Sequence, residues 1–200
     1  MRSVSYRTVT LFRASGAEVN KIKQNSGKKL ESQKKIIWLF GRSGAGKTTL
    51  ASKLVDRYKA MGITCLWLDG DRIRQGLSQD LGYTPNDRME NHRRIIEVAN
   101  IAYEQGFQVV VSAIAPRETI RAKVNEWAKS GVDWIYLDTD ENTCRQRDTK
   151  GIYSSPLNGS VSQFFGPSST EKILLHVKTS LEEIELSKNR IFSELHIPNE

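Results

Sequence analysis

Gly41-Arg42-Ser43-Gly44-Ala45-Gly46-Lys47-Thr48 fits the pattern G-x-x-x-x-G-K-[ST] of a phosphate-binding loop. The apolar run Ile36-Ile37-Trp38-Leu39-Phe40 stands before it and reads, with Lys35, as a short buried strand over 35–40. Thr49 to Tyr58 follows with apolar residues at helical spacing, which predicts a helix running to about Ala60. Strand, loop and helix in that order give the pattern its mechanism. Glycine lets the backbone curl around an anion without a Cβ in the way. The loop N–H groups and the start of the helix then face a phosphate. Lys47 supplies a cation for β- and γ-phosphates, and the Thr48 hydroxyl is the expected ligand for Mg²⁺.

Working outward, the chain repeats a strand and a helix. Strands are predicted at 64–68, 108–113, 134–137 and 173–177, beside the first at 35–40. Helices are predicted at 72–77, from Arg88 to about Gln105 with Asn86 or Asp87 as its cap, from Pro116 to about Lys129, over 141–147, and from a Ser180 cap to about Leu195. This alternation predicts an α/β fold: a mainly parallel five-stranded sheet with helices on both faces, the three-layer α/β/α arrangement of P-loop NTPases. Ligands then belong outside the carboxyl ends of the strands. Residues 148–170 form a long polar loop, and loops of that length in a compact domain are usually functional.

Composition narrows the class. The formal net charge is +7. Residues 1–34 hold eight Lys or Arg against two acids, whereas the remaining 166 hold 22 basic and 21 acidic side chains. The basic character therefore belongs to the first 34 residues, read as a disordered extension ahead of a kinase-sized domain at 35–200. A nearly neutral domain does not point to nucleic acid, and no apolar run is long enough for a membrane span. The first 17 residues contain no acid and faintly resemble an organelle transit peptide. Cys65 and Cys144 are the only cysteines and suit a reducing, cytoplasmic setting. His92, His176 and His196 are scattered, without zinc spacing.

Three further stretches carry chemistry. Asp69-Gly70-Asp71 follows the second strand, where a carboxylate can hold a metal's water or accept a hydroxyl proton. Arg88 and Asn91 share a face near the positive end of a helix. An arginine there requires either an anionic ligand or a partner such as Asp87 or Glu90. Arg145, Arg147 and Lys150 stand at the mouth of the long loop, where a closing lid could bring cations to transferring phosphate. Phe164-Phe165 in the same loop could stack on a base or anchor the loop on the core.

These stretches together resemble the adenylylsulfate kinases, P-loop enzymes that move the γ-phosphate of ATP to the 3′-hydroxyl of adenylyl sulfate. The matching motifs are GRSGAGKTT (41–49), LDGDRIRQGLSQDLGYTPNDRMENHRR (68–94), SAIAP (112–116) and CRQRDTKGIY (144–153). The resemblance implies that Gly41, Ser43, Gly44, Ala45, Gly46, Lys47, Thr48 and Thr49 hold ATP, with Arg147 beside its base and Mg²⁺ at Thr48. It implies Asp71 as the base and contact to the acceptor hydroxyl. Arg74, Arg88, Asn91 and Ile114 would line the acceptor, Tyr83 and Phe164 would sandwich its adenine, and Lys150 would reach it from the lid. A small nucleotide is the expected partner, and a homodimer is an open expectation.

The chain also departs from the family pattern. Arg72 stands for a family Asn, Ala115 for a serine, Arg117 for a tyrosine and Ser154-Ser155 for a lysine pair. The acidic segment after the lid aromatic is reduced to Gly166-Pro167-Ser168-Ser169. The donor side is intact and the acceptor side altered. The alternatives are a kinase of a related small nucleotide or sugar phosphoester, and a non-catalytic nucleotide-binding module. A GTPase is disfavoured, because no N-K-x-D signature occurs.

Overall fold

A computed structural model describes residues 35–149, 151–153 and 164–199. The readings made for residues 1–34, for Lys150 and for Ser154-Ser155 lie outside the described residues.

Strand β1 (Ile36–Gly41) is apolar along its whole length, and all six residues are buried. Burial on both faces is what a central parallel strand requires. It pairs in parallel with β3 (Gln108–Ser112) on one side and β4 (Val132–Leu137) on the other, from Ile36 opposite Val109 and Val132 up to Gly41 opposite Leu137. With β2 (Cys65–Asp69) outside β3 and β5 (Leu175–Val177) outside β4, the order is β2-β3-β1-β4-β5, all parallel. The expected five-stranded sheet is therefore present. From β1 the chain leaves toward β2, and from β4 it leaves toward β5. Adjacent strands whose connections diverge leave a crevice at their carboxyl ends, and the phosphate loop begins there.

Alternation along β1 divides the core. Ile36, Trp38 and Phe40 face α3 (Pro85–Glu104) and α4 (Glu118–Trp127), through Ile95, Ile96, Ala99, Ile120 and Val124. Ile37 and Leu39 face α1 (Lys47–Ala60) and α6 (Ile184–Glu194), through Leu50, Leu54, Tyr58, Ile191 and Phe192. Two short helices, α2 (Gly70–Gln75) and α5 (Glu141–Gln146), stand at the carboxyl edge. The result is the three-layer α/β/α arrangement.

Several boundaries differ from the sequence expectation. Helix α3 is capped by Thr84, not Asn86 or Asp87. Its hydroxyl accepts the Asp87 N–H at 3.2 Å while the Asp87 carboxylate accepts the Thr84 N–H at 3.3 Å, and Pro85 occupies the first turn. This reciprocal cap uses Asp87 as the third helical residue. Helix α4 starts at Glu118, two residues after Pro116, because the preceding backbone is committed elsewhere. Pro116 O accepts the Phe165 N–H at 2.9 Å and Ala115 O accepts Arg121 Nη1 at 2.8 Å. Helix α6 starts at Ile184 rather than after Ser180, since 178–182 close turns onto Lys178 O. Because α3 carries Arg88 and Asn91 in its first turns, the cap bears on the site. Thr84→Ala is expected to cost about 1 kcal/mol of stability, read as a lowered urea midpoint. Thr84→Ser should restore most of it.

Candidate active site

The phosphate loop is strained in the way its sequence demands. Gly44 has φ 79°, and a Cβ there would meet the Cys144 carbonyl oxygen at 2.7 Å. A side chain at that position is excluded both by the left-handed backbone and by the close approach of α5. Gly46, at φ 91°, is the N-cap of α1. Carbonyl oxygens would repel a phosphate, and here four of the loop's are bonded by protein side chains. Lys47 Nζ donates to Gly41 O at 3.1 Å and Arg42 O at 2.7 Å. Tyr153 Oη donates to Ser43 O at 2.8 Å, and Thr179 Oγ1 to Ala45 O at 3.1 Å. The loop is thus tied to its own lysine, to Tyr153 and to the turn after β5. What it offers an incoming group is N–H and ammonium.

Asp69 and Asp71 separate into two roles that spacing alone did not distinguish. Asp69 is buried at the end of β2. Its Oδ2 accepts the Thr48 hydroxyl at 3.0 Å and the Ser112 hydroxyl at 2.7 Å, while Oδ1 accepts the N–H groups of Asp71 at 3.1 Å and Arg72 at 3.4 Å. A carboxylate in hydrogen-bond contact with the Thr48 hydroxyl provides the hard oxygen pair that Mg²⁺ takes when phosphates complete its shell. The metal expectation placed on Thr48 is thereby extended to Asp69. Asp71 is exposed and lines the cleft.

A cleft of about 680 Å³ runs from the phosphate loop across the carboxyl edge of the sheet. Ser43 to Thr49 and Arg147 line one part, and Asp71, Arg74, Tyr83, Arg88, Asn91 and Ile114 line the other. Arg147 Nη2 is held by Thr179 O at 3.0 Å. The Arg74 and Arg88 guanidiniums lie over the Tyr83 ring, 4.5 and 5.4 Å from its centroid, and donate to the carbonyls of Gly82 and Tyr83. Asp87 is engaged in the cap and Glu90 in bonds to Arg93 and Arg94. Burial, and then the neighbouring Arg74 charge, pull the Arg88 guanidinium below its ordinary value. An anion in this part of the cleft would relieve that crowding of cations.

Phe164 has a setting apart from the cleft. It is buried in the core against Tyr136, with ring centroids 6.1 Å apart, and Arg42 lies 5.4 Å above it. It does not line the cleft with Tyr83, which is 60% exposed. Of the two readings for the aromatic pair, Phe164 takes the anchoring one, while Phe165 is exposed. The anchor is reinforced by Arg121, a residue that gave no signal in the sequence. Arg121 is buried, pairs with both Glu171 oxygens at 2.6 and 2.7 Å, and also donates to the carbonyls of Phe165 and Gly166.

His92, beside Asn91, also lines the cleft. It stacks on Trp38 at 5.7 Å, and its Nδ1 lies 2.6 Å from Arg88 O. A carbonyl only accepts, so Nδ1 carries the proton and Nε2, which has no partner, carries a lone pair. Burial pushes this imidazole down to about 4, and the charges of Arg74 and Arg88 act in the same direction. The unfolded chain then binds a proton that the folded chain refuses. Stability is expected to be full above about pH 6.5 and to fall by up to about 3 kcal/mol as pH drops toward 4. Urea titrations across that window should show the slope, and His92→Leu should flatten it.

Comparison with known proteins follows the same residues. The family model described as adenylylsulphate kinase matches residues 33–173, more than half of the chain. The chain belongs to the adenylylsulphate kinase family. Membership makes it a kinase. It is 41% identical to the adenylyl-sulfate kinase of Paraburkholderia xenovorans (strain LB400) over 131 residues, 66% of this chain and 73% of that one. It is 38% identical to the probable adenylyl-sulfate kinase of Bacillus subtilis (strain 168) over 150 residues, 74% of this chain and 76% of that one. Among solved structures it is similar to the Mycobacterium tuberculosis APS kinase CysC in complex with AMPPNP and APS, at TM-score 0.72 and 31% identity over 82% of this chain and 98% of that one. Among the described residues no helix is long and apolar enough to cross a membrane. Cys65 and Cys144 are free thiols, and burial pushes the Cys65 thiol up to about 12.

Proposed function

We propose that the protein transfers the γ-phosphate of ATP to the 3′-hydroxyl of adenylyl sulfate, giving 3′-phosphoadenylyl sulfate and ADP. One observation carries this reading: a single cleft joins the phosphate loop to a second, cationic half lined by Asp71, Arg74, Arg88 and Asn91. A donor phosphate at one end and an anionic acceptor at the other can then meet in line.

In this reading the loop N–H groups and Lys47 hold the β- and γ-phosphates. Thr48 and Asp69 are the residues that would hold Mg²⁺, which when bound neutralises charge on the phosphate oxygens. Arg74 and Arg88 receive the phosphosulfate, and Asn91 and Ile114 lie along the acceptor. Asp71 accepts the hydroxyl proton as the 3′-oxygen bonds to the γ-phosphorus and the bond to ADP breaks. Tyr83 offers one face for the adenine. Lys150 and the lid around it complete the proposal from the family resemblance. A homodimer and a cytoplasmic location are proposed on the same footing, the latter in keeping with two unpaired thiols.

Acceptor profiling tests the reading. The purified chain with ATP and Mg²⁺ is offered adenylyl sulfate, AMP or a sugar phosphate, and ADP release is followed. Release dependent on adenylyl sulfate is expected. Equal release with every acceptor, or with none, would overturn it.

A further inference from the structure

Trp67 and Ser112 are linked to Asp69 by side-chain hydrogen bonds, and Ser112, like Asp69, lines the cleft. Asp69 ends β2 and Ser112 ends β3, and the two are register partners across the parallel ladder. Trp67, two residues before Asp69, projects to the same side of its strand. Its indole Nε1 donates to Ser112 Oγ at 2.9 Å, and Ser112 Oγ donates to Asp69 Oδ2 at 2.7 Å.

The direction of each bond follows from the chemistry of the groups. An indole N–H only donates. Ser112 must therefore accept from Trp67, which leaves its one proton for the carboxylate. Thr48 gives its proton to the same oxygen at 3.0 Å, and the backbone N–H groups of Asp71 and Arg72 take the other. Two donors on each oxygen fix the carboxylate plane. Three of the four donors belong to the sheet edge and α2, and Thr48 belongs to the phosphate-loop helix. The line Trp67–Ser112–Asp69–Thr48 thus ties the second strand to the loop.

We propose that Trp67 and Ser112 are positioning residues, which orient the Asp69 carboxylate so that it and Thr48 present a preformed oxygen pair to the Mg²⁺ of a bound nucleotide. The inference rests on reading the loop end of the cleft as the ATP site. It does not depend on which acceptor is used. Outer partners that orient a metal-binding carboxylate typically change metal affinity by about 10- to 100-fold when removed.

Nucleotide binding, rather than turnover, tests it. The full chain is titrated calorimetrically with AMPPNP at a series of Mg²⁺ concentrations and again in EDTA, for wild type, Ser112→Ala, Trp67→Phe and the double variant. Phenylalanine keeps most of the apolar body of Trp67 and removes the N–H. Ser112→Ala is expected to raise the Mg²⁺ concentration for half-maximal binding by about tenfold or more. Trp67→Phe should raise it less, by releasing the Ser112 hydroxyl to turn, and binding in EDTA should be unchanged in both. Because Trp67 acts through Ser112, the double variant should lose no more than Ser112→Ala. A purely structural role would instead weaken binding with and without Mg²⁺ alike, with additive losses, and that result overturns the inference. An unchanged Mg²⁺ dependence in folded Ser112→Ala overturns it too. If Ser112→Ala does not fold, an unchanged Mg²⁺ dependence in Trp67→Phe has the same force. No acceptor is present, so failure of the adenylyl sulfate reading would leave these results standing.

Discussion

Replacing Lys47 by alanine is expected to lower turnover by about 10²-fold or more while the protein remains folded. Lys47 opens α1, and its ammonium spans the mouth of the loop through bonds to Gly41 O and Arg42 O. Those carbonyls hold the charge where a β- or γ-phosphate would meet it. A phosphoryl group in transfer spreads negative charge over its oxygens, and a preorganised cation stabilises that charge without reorganising at the moment of reaction. Alanine favours the helix, so α1 should persist. The two carbonyls lose bonds at the mouth of the loop, where water can replace them. Steady-state kinetics beside a thermal melt make the check. Near-normal turnover by a folded Lys47→Ala protein would exclude the phosphate-loop mechanism.

Asp71→Asn is expected to reduce turnover by about 10²–10⁴-fold with ATP affinity nearly unchanged. Both aspartates of Asp69-Gly70-Asp71 reach the carboxyl edge of the sheet, but their surroundings differ. Asp69 is buried and saturated by four donors. Asp71 is exposed at the start of α2 and lines the cleft between the loop and Arg74. Asparagine keeps the size and one acceptor oxygen but cannot take a proton. ATP should still bind, since its proposed contacts are Gly41, Ser43 to Thr49 and Arg147. The competing role is that Asp71 only pairs with Arg72 or Arg74, and an exposed pair of that kind is worth about 0–1 kcal/mol. Turnover and the ATP dissociation constant, measured together, separate the two. A drop of less than threefold at unchanged melting temperature would remove Asp71 from the reaction.

The strands and the phosphate loop were legible because their signals are local. Ile36 to Phe40 could only be a buried strand, and Gly44 and Gly46 stand where the backbone turns left-handed. The parallel sheet follows from the alternation of strand and helix, whereas its order does not. What remained hidden depends on distant partners. Nothing near Arg121 marks it as buried, since its partner Glu171 is fifty positions away. The two carboxylates at 69 and 71 look equivalent in one dimension, and only the approach of Thr48 and Ser112 assigns the inner one to the loop. The cap at Thr84 is masked by Pro85, which suits a turn as well as a first helical turn. The family resemblance points Phe164 at the acceptor, and no local signal shows that in the fold it packs on Tyr136.

The most direct measurement is the fate of the γ-phosphate. The full chain is incubated with ATP carrying an isotopic label in its γ-phosphate, together with Mg²⁺ and adenylyl sulfate, and the products are resolved by mass spectrometry and phosphorus NMR. Label on the 3′-oxygen of adenylyl sulfate, in step with ADP, is the predicted result. Label released as inorganic phosphate, or ATP left intact beside unchanged adenylyl sulfate, would contradict it.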